Sequence, residues 1–159
     1  MHSLELLAWF DADMVITNMS LSLPTLLART APVGSSHQAC SVVIGSDEDG
    51  APFNTGLMLL HRAPSTLKLL SRVGAYYNDT AVRVRVTWEQ WAMGALYRSN
   101  RWARQTICVV PRRPWLQSFV KWNEWRAGDF AAHLSLWEQS NALSQDDVRA
   151  WLSAGFTIT

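Results

Sequence analysis

The sequence predicts an α/β fold, a mixed sheet with helices packed on it, and three observations carry that expectation. Leu6 to Phe10 is an apolar run broken by Asp11-Ala12-Asp13 and resumed by Met14, Val15 and Ile16, the pattern of a buried strand with two acids at its end. Short β-branched runs recur at Ser41 to Ile44 and Thr106 to Val110, each of strand length. Between them, Pro64 to Tyr77 sets Leu67, Leu70, Val73 and Tyr76 or Tyr77 at helical spacing, which predicts an amphipathic helix lying on the sheet.

Composition narrows the function classes. At 159 residues the chain is long enough for one domain with a real core and too short for two ordinary ones. The net charge of +1 and the 17% of charged residues leave no broad field for nucleic acid or an anionic membrane surface. No apolar run reaches membrane-spanning length and no signal peptide is expected. Nine Trp is a high count, and for each one a core role outweighs a sugar-stacking platform. Cys40 and Cys108 are too few for a disulfide framework or a cysteine metal site, so they either pair or stay free. Asn18-Met19-Ser20 and Asn78-Asp79-Thr80 are glycosylation sequons, which matter in a lumenal setting.

In chain order, the acidic pair comes first. Charges at the end of an apolar strand are costly without a partner, and a divalent metal is the natural one. Residues two apart on a strand face the same way, so Asp11 and Asp13 can present oxygens to one hard cation that in turn holds a diphosphate. Leu23 to Leu27, with Pro24 in the first turn, predicts a short helix, and Thr30 to Gln38 a loop. Gly45 to Gly50 is an acidic loop read as a solvated turn rather than a second metal site.

Asn54-Thr55-Gly56 reads as a small polar turn feeding a strand, with Gly56 allowing close backbone approach and Asn54 and Thr55 offering compact hydrogen-bonding groups. Val82 to Val86 alternates as an exposed strand or an extended loop would. Thr87-Trp88-Glu89-Gln90 fits a capping box opening a helix through Trp91, Met93, Leu96 and Tyr97. Arg112 and Arg113, flanked by prolines, read as solvated. His133 sits in an apolar stretch, where a lone His is usually a satisfied core residue. Ser144 to Asp147 fits a second capping box, for a terminal helix ended by Gly155.

Five of these segments, in order, resemble a known family. Trp9-Phe10-Asp11-Ala12-Asp13 with Ile16-Thr17-Asn18, then Asn54-Thr55-Gly56, Glu89-Gln90, Val109 to Phe119, and Ala127 to Leu134 resemble motifs of the metal-dependent GT-A glycosyltransferases of the galactosyl/mannosyl/xylosyl group, GT34. This sequence has Trp88 before Glu89 where many relatives have an acid, Gln117 where Asn is usual, and Leu134-Ser135-Leu136-Trp137 after His133 where the family has a small-residue turn.

The resemblance implies a retaining transfer of a hexose or pentose from a nucleotide-diphosphate sugar to a glycan acceptor. Asp11, Asp13 and His133 would be the metal ligands, with Mn²⁺ as the cofactor, since imidazole with carboxylates suits that ion. Glu89 and Gln90 would be catalytic; Asn54, Thr55, Gly56 and Asp11 would bind donor and acceptor. It further implies a GT-A-like sheet lacking its N-terminal nucleotide-binding βα units, so that residues 1–159 form the C-terminal, DxD and acceptor-side part of a domain. The expected setting is the lumenal side of the Golgi membrane, with the anchor upstream and no membrane segment in this chain. Base recognition would lie upstream as well.

Two other readings are open. The segments could persist in a catalytically degenerate, carbohydrate-binding fragment. Asp11-x-Asp13-x-Val15 also fits the opening of haloacid-dehalogenase-type phosphatases, which need in addition a suitably placed lysine and a later acidic pair.

Overall fold

A computed structural model of the chain describes residues 5–30, 40–47, 50–80, 87–113, 116–119 and 124–134. Two mixed sheets organise them. The larger runs β1(Leu6–Phe10), β4(Asn54–His61), β3(Val42–Gly45), β5(Ile107–Val110), with β1 and β3 antiparallel to β4 and β5 parallel to β3. The smaller runs β2(Met14–Ile16), β7(Ala131–His133), β6(Ser118–Phe119), with β2 antiparallel and β6 parallel to β7. This is the expected α/β architecture.

The larger sheet is sandwiched. On one face, Val42, Ile44, Met58 and Leu60 pack with Leu69, Val73, Ala92, Met93 and Leu96 of α2(Pro64–Ala75) and α3(Trp88–Ser99), joined by Ala103 of a short α4(Arg101–Thr106). On the other, Val43, Leu57, Leu59 and Val110 pack with Leu26 of α1(Leu23–Thr30), Leu116, Phe130 and Ala131. Burying a Leu or Val side chain contributes roughly 1.5–3 kcal/mol, so β4, buried from Thr55 to Leu60, is the strand both layers depend on.

An irregularity in that strand aims the site. Ile44 pairs with Met58, but the next β3 residue, Gly45, pairs with Asn54, so one step along β3 spans four along β4. Such a break bends a strand and redirects its side chains. Simple alternation back from Leu57 would turn Thr55 away from α2 and α3, yet its hydroxyl lies 3.1 Å from Glu89 Oε1, on α3. Gly56 correspondingly turns to His133 in the other sheet.

The smaller sheet joins distant parts of the chain. Met14 pairs with His133 and Ile16 with Ala131, and the contact continues past the strands. Thr17 and Asn18 N–H both donate to Phe130 O (2.8 and 3.1 Å), Thr17 Oγ1 donates to Asp129 O and Asn18 Nδ2 to Gly128 O. Gly128 sits at φ +99°, where a side chain would strain the turn. Cys40 and Cys108 form a disulfide beside the β3–β5 pair.

Several local expectations are revised. β1 is not a buried strand but a sheet edge among the described residues, with Leu7 and Trp9 each 48% exposed. Asn54-Thr55-Gly56 is not a turn before the strand but its first three residues. Helix α2 buries Thr66, Leu69 and Val73, while Leu67 is 67% exposed. Its inward face is rotated because the Thr66 hydroxyl reaches the carbonyls of His61 (2.7 Å) and Ser41 (3.2 Å), satisfying a polar group at the sheet. Thr87 makes no side-chain cap bond to α3, so the first capping box is not formed. Arg112 is not solvated: it is 5% exposed and paired with Glu124. The loop at 31–39, the alternating Val82–Val86 segment and the second capping box lie outside the described residues.

Candidate functional site

Asp11 and Asp13 occupy the tight turn between β1 and β2, where the Met14 N–H donates to Asp11 O at 3.2 Å. The turn is anchored on both sides: Asp11 N–H donates to Gly56 O (2.9 Å), and Leu134 N–H to Asp13 O (3.0 Å). The first contact belongs to the larger sheet and the second to the smaller. The acidic turn is therefore where the two sheets meet.

His133, the last residue of β7, completes the cluster. One ligand atom from each of Asp11, Asp13 and His133 lies within 4.8 Å of the others, and His133 Nε2 is 3.3 Å from Asp13 Oδ1. Ligands to one divalent ion lie about 2.0–2.2 Å from it, so the 3.3 Å between His133 Nε2 and Asp13 Oδ1 suits two ligands of one cation. The imidazole is 7% exposed and Asp13 23%, so the ring is nearly buried while the carboxylate reaches the surface, as an ion that also accepts an outside ligand requires. Carboxylate oxygen with imidazole nitrogen fits a divalent first-row metal.

The histidine is held on three sides. Phe119 stacks on its ring, centroids 4.7 Å apart and planes at 24°. Gln117 Oε1 lies 2.9 Å from its Nδ1. Gly56 packs so closely that a Cβ there would be 2.6 Å from His133 Cε1 and 2.9 Å from Nδ1, a distance real Cβ contacts do not reach, so the ring occupies space that only glycine leaves. Asn54 joins the same wall: its Oδ1 accepts from Gly56 N (2.8 Å) and Gln117 Nε2 (2.9 Å). Trp9 Nε1 donates to Asp11 Oδ1 at 3.3 Å from the exposed side of β1.

Glu89 and Gln90 form a second polar group around Thr55. The Thr55 hydroxyl lies 3.1 Å from Glu89 Oε1 and 3.3 Å from Gln90 Oε1. Gln90 Nε2 donates to Asp47 Oδ2 at 3.2 Å, so Gln90 ties β4 to the loop after β3 rather than capping its own helix. Asn54-Thr55-Gly56 thus stands between the two groups, its outer members with His133 and its middle one with α3. Of the acidic loop, Asp47 bonds Gln90, and Glu48 and Asp49 lie outside the described residues.

Residues that sequence reasoning passed over complete the support. Gln117, only 1% exposed, was noted as a departure from a motif, not as a partner of His133. Asp129 is 4% exposed, its Oδ2 accepting from Ser118 Oγ (2.6 Å) and Arg126 N (3.0 Å), with Arg113 Nε at 3.7 Å. Glu124 pairs with Arg112 and also accepts from Phe119 N at 3.1 Å. No periodicity marks such residues, and their partners lie elsewhere in the chain. Of the two lysines that a dehalogenase-type site could use, Lys68 lies over the Trp102 ring at 4.5 Å and Lys121 is outside the described residues.

No protein-family model and no curated protein matches the sequence. Among solved structures, the fold is similar to that of a glycosyltransferase involved in the glycosylation of the major capsid of PBCV-1, at TM-score 0.62 and 15% identity over 94% of this chain. The chain spans 66% of the length of that protein. These residues therefore build a mixed α/β fold similar to that of a glycosyltransferase, carrying an Asp-x-Asp turn and a histidine grouped as a metal site would be.

Proposed function

We propose that this chain is the DxD and acceptor-side part of a metal-dependent, retaining glycosyltransferase of the GT34 type. It would move a hexose or pentose from a nucleotide-diphosphate sugar to a glycan. One observation carries the reading: Asp11, Asp13 and His133, drawn from opposite ends of the described chain, converge where the two sheets meet. The glycosyltransferase-like fold supports it.

Asp11, Asp13 and His133 would hold Mn²⁺, which when bound supplies charge neutralisation for a departing diphosphate. The chain's own residues do the rest. Gly56 leaves the space in which His133 sits, and Trp9 holds one oxygen of Asp11. Thr55 fixes a Glu89 oxygen, so that this carboxylate can face positive charge developing at the anomeric carbon, while Gln90 locks Thr55 to Asp47 and positions the group. Asn54 and the surfaces beside it would meet sugar hydroxyls. In a retaining transfer the acceptor hydroxyl attacks on the leaving-group side, and the departing phosphate takes its proton.

A lumenal Golgi setting is part of the same proposal. A disulfide between Cys40 and Cys108 favours an oxidising compartment, and the two sequons agree with it. Among the described residues no helix is long and apolar enough to cross a membrane. The test is a panel of UDP- and GDP-sugars, assayed for Mn²⁺-dependent binding and hydrolysis. Metal-dependent preference for one donor supports the proposal, and an equal, metal-independent response to all of them contradicts it.

A further inference from the structure

The side chains behind His133 form a relay whose polarity is set at one end by a group that cannot reverse. A backbone N–H can only donate. The Gly56 amide lies 2.8 Å from the Asn54 side chain, so the atom it meets is the carbonyl oxygen, Oδ1. Gln117 meets that same oxygen at 2.9 Å and must therefore turn its NH₂ toward it. The other end of the Gln117 amide, the oxygen Oε1, is then the atom 2.9 Å from His133 Nδ1. An amide oxygen only accepts, so Nδ1 carries the proton.

We infer that Gln117 is a positioning residue that fixes His133 in its Nδ1–H tautomer, so that Nε2 is the nitrogen presented to a divalent cation. The inference rests on the metal-site reading above for what Nε2 binds, but not for the tautomer itself. In the neutral ring Nε2 bears a lone pair, and it faces Asp13 Oδ1 at 3.3 Å. Two acceptors at that distance repel unless a proton or a metal cation lies between them. In the neutral ring the relay therefore sets a nitrogen lone pair beside a carboxylate oxygen, a pair that a divalent cation can bridge, and metal-bound histidines are commonly held through their second nitrogen in this way. Burial makes the arrangement stable: Gln117 is 1% and His133 5% exposed, and reversing the Gln117 amide would set NH₂ against the histidine N–H and oxygen against oxygen.

The experiment is long-range ¹H–¹⁵N correlation on the metal-free full chain at a pH where its four histidines are neutral, with His133→Asn used to assign the signal. The expected result is a pyrrole-type Nδ1 and a pyridine-type Nε2 for His133; the reverse assignment overturns the inference. In Gln117→Met the ring should lose this single tautomer, and Mn²⁺ affinity should fall about 10–100-fold. Gln117→Glu, which still offers an oxygen to Nδ1–H, should keep the tautomer. An unchanged tautomer and unchanged Mn²⁺ affinity in Gln117→Met would overturn the role of Gln117. If the wild-type chain has the Nδ1–H tautomer, loses it in Gln117→Met and binds no Mn²⁺, the relay is upheld and the metal reading fails, which keeps the two separable.

Discussion

His133 Nε2 and Asp13 Oδ1 stand 3.3 Å apart because two short strands pair in one register. Met14 faces His133 across the β2–β7 ladder, and the Asp13 carbonyl accepts from Leu134 N–H at 3.0 Å. The backbone of Asp13 therefore serves the fold, and its side chain faces the His133 ring. Asp13→Ala should leave far-UV circular dichroism unchanged yet weaken Mn²⁺ binding by more than about 100-fold, since loss of an outer partner alone costs about 10–100-fold. Calorimetric titration checks it, and metal-dependent donor binding should be lost in parallel.

Gly56 and Gly74 make a matched pair of substitutions. A Cβ at Gly56 would meet His133 Cε1 at 2.6 Å and Asn54 Oδ1 at 2.9 Å, whereas one at Gly74, in α2, meets nothing within 4 Å. Gly56→Ala should cost about 1–3 kcal/mol through overpacking and displace the imidazole. Gly74→Ala should stabilise the protein by about 0.5–1 kcal/mol, because alanine is the better helix former. Urea unfolding of both variants measures the contrast.

The Arg112–Glu124 pair joins a buried guanidinium to a partly buried carboxylate, with Arg112 also lying over the Phe119 ring that stacks on His133. Removing one partner strands a charge, so Arg112→Met should destabilise the chain by about 3–5 kcal/mol. Adding Glu124→Leu should recover part of that loss, since the stranded carboxylate is then gone. A double-mutant cycle by chemical denaturation decides between this and a purely packing role, in which the two losses would add.

The Cys40–Cys108 disulfide links residues 68 apart in sequence. Closing such a loop in the unfolded chain is worth about 2–4 kcal/mol, so a reductant should lower the melting temperature of the wild type and leave Cys40→Ser unaffected. Thermal melts with and without dithiothreitol provide the comparison.

The legible part of the fold is the part carried by local periodicity. Leu6–Phe10, Val42–Gly45, Ile107–Val110 and α2 are where apolar spacing places them, because each buries a face whatever its neighbours are. The direction of a face was less legible. Thr66 turns inward because two carbonyls at the sheet receive its hydroxyl, and Thr55 turns to α3 because the β3–β4 register slips; neither cause lies in the residue's own neighbourhood. The grouping of Asp11, Asp13 and His133 is legible only through the order of the family-like motifs, since no periodicity can pair β2 with β7 across most of the chain. Gln117, Glu124 and Asp129 stayed hidden for a related reason: a buried polar residue is recognisable only once its partner is in place, and theirs come from other segments.

The central claim is that one divalent cation binds between the acidic turn and the end of β7. The most direct measurement is anomalous diffraction from Mn²⁺-soaked crystals of the wild-type chain, collected at the manganese edge. A single strong peak in contact with Asp13 Oδ1 and His133 Nε2, absent from His133→Ala crystals, is expected. A cluster that remains empty at saturating Mn²⁺, or an ion bound elsewhere with His133 turned away, would contradict it.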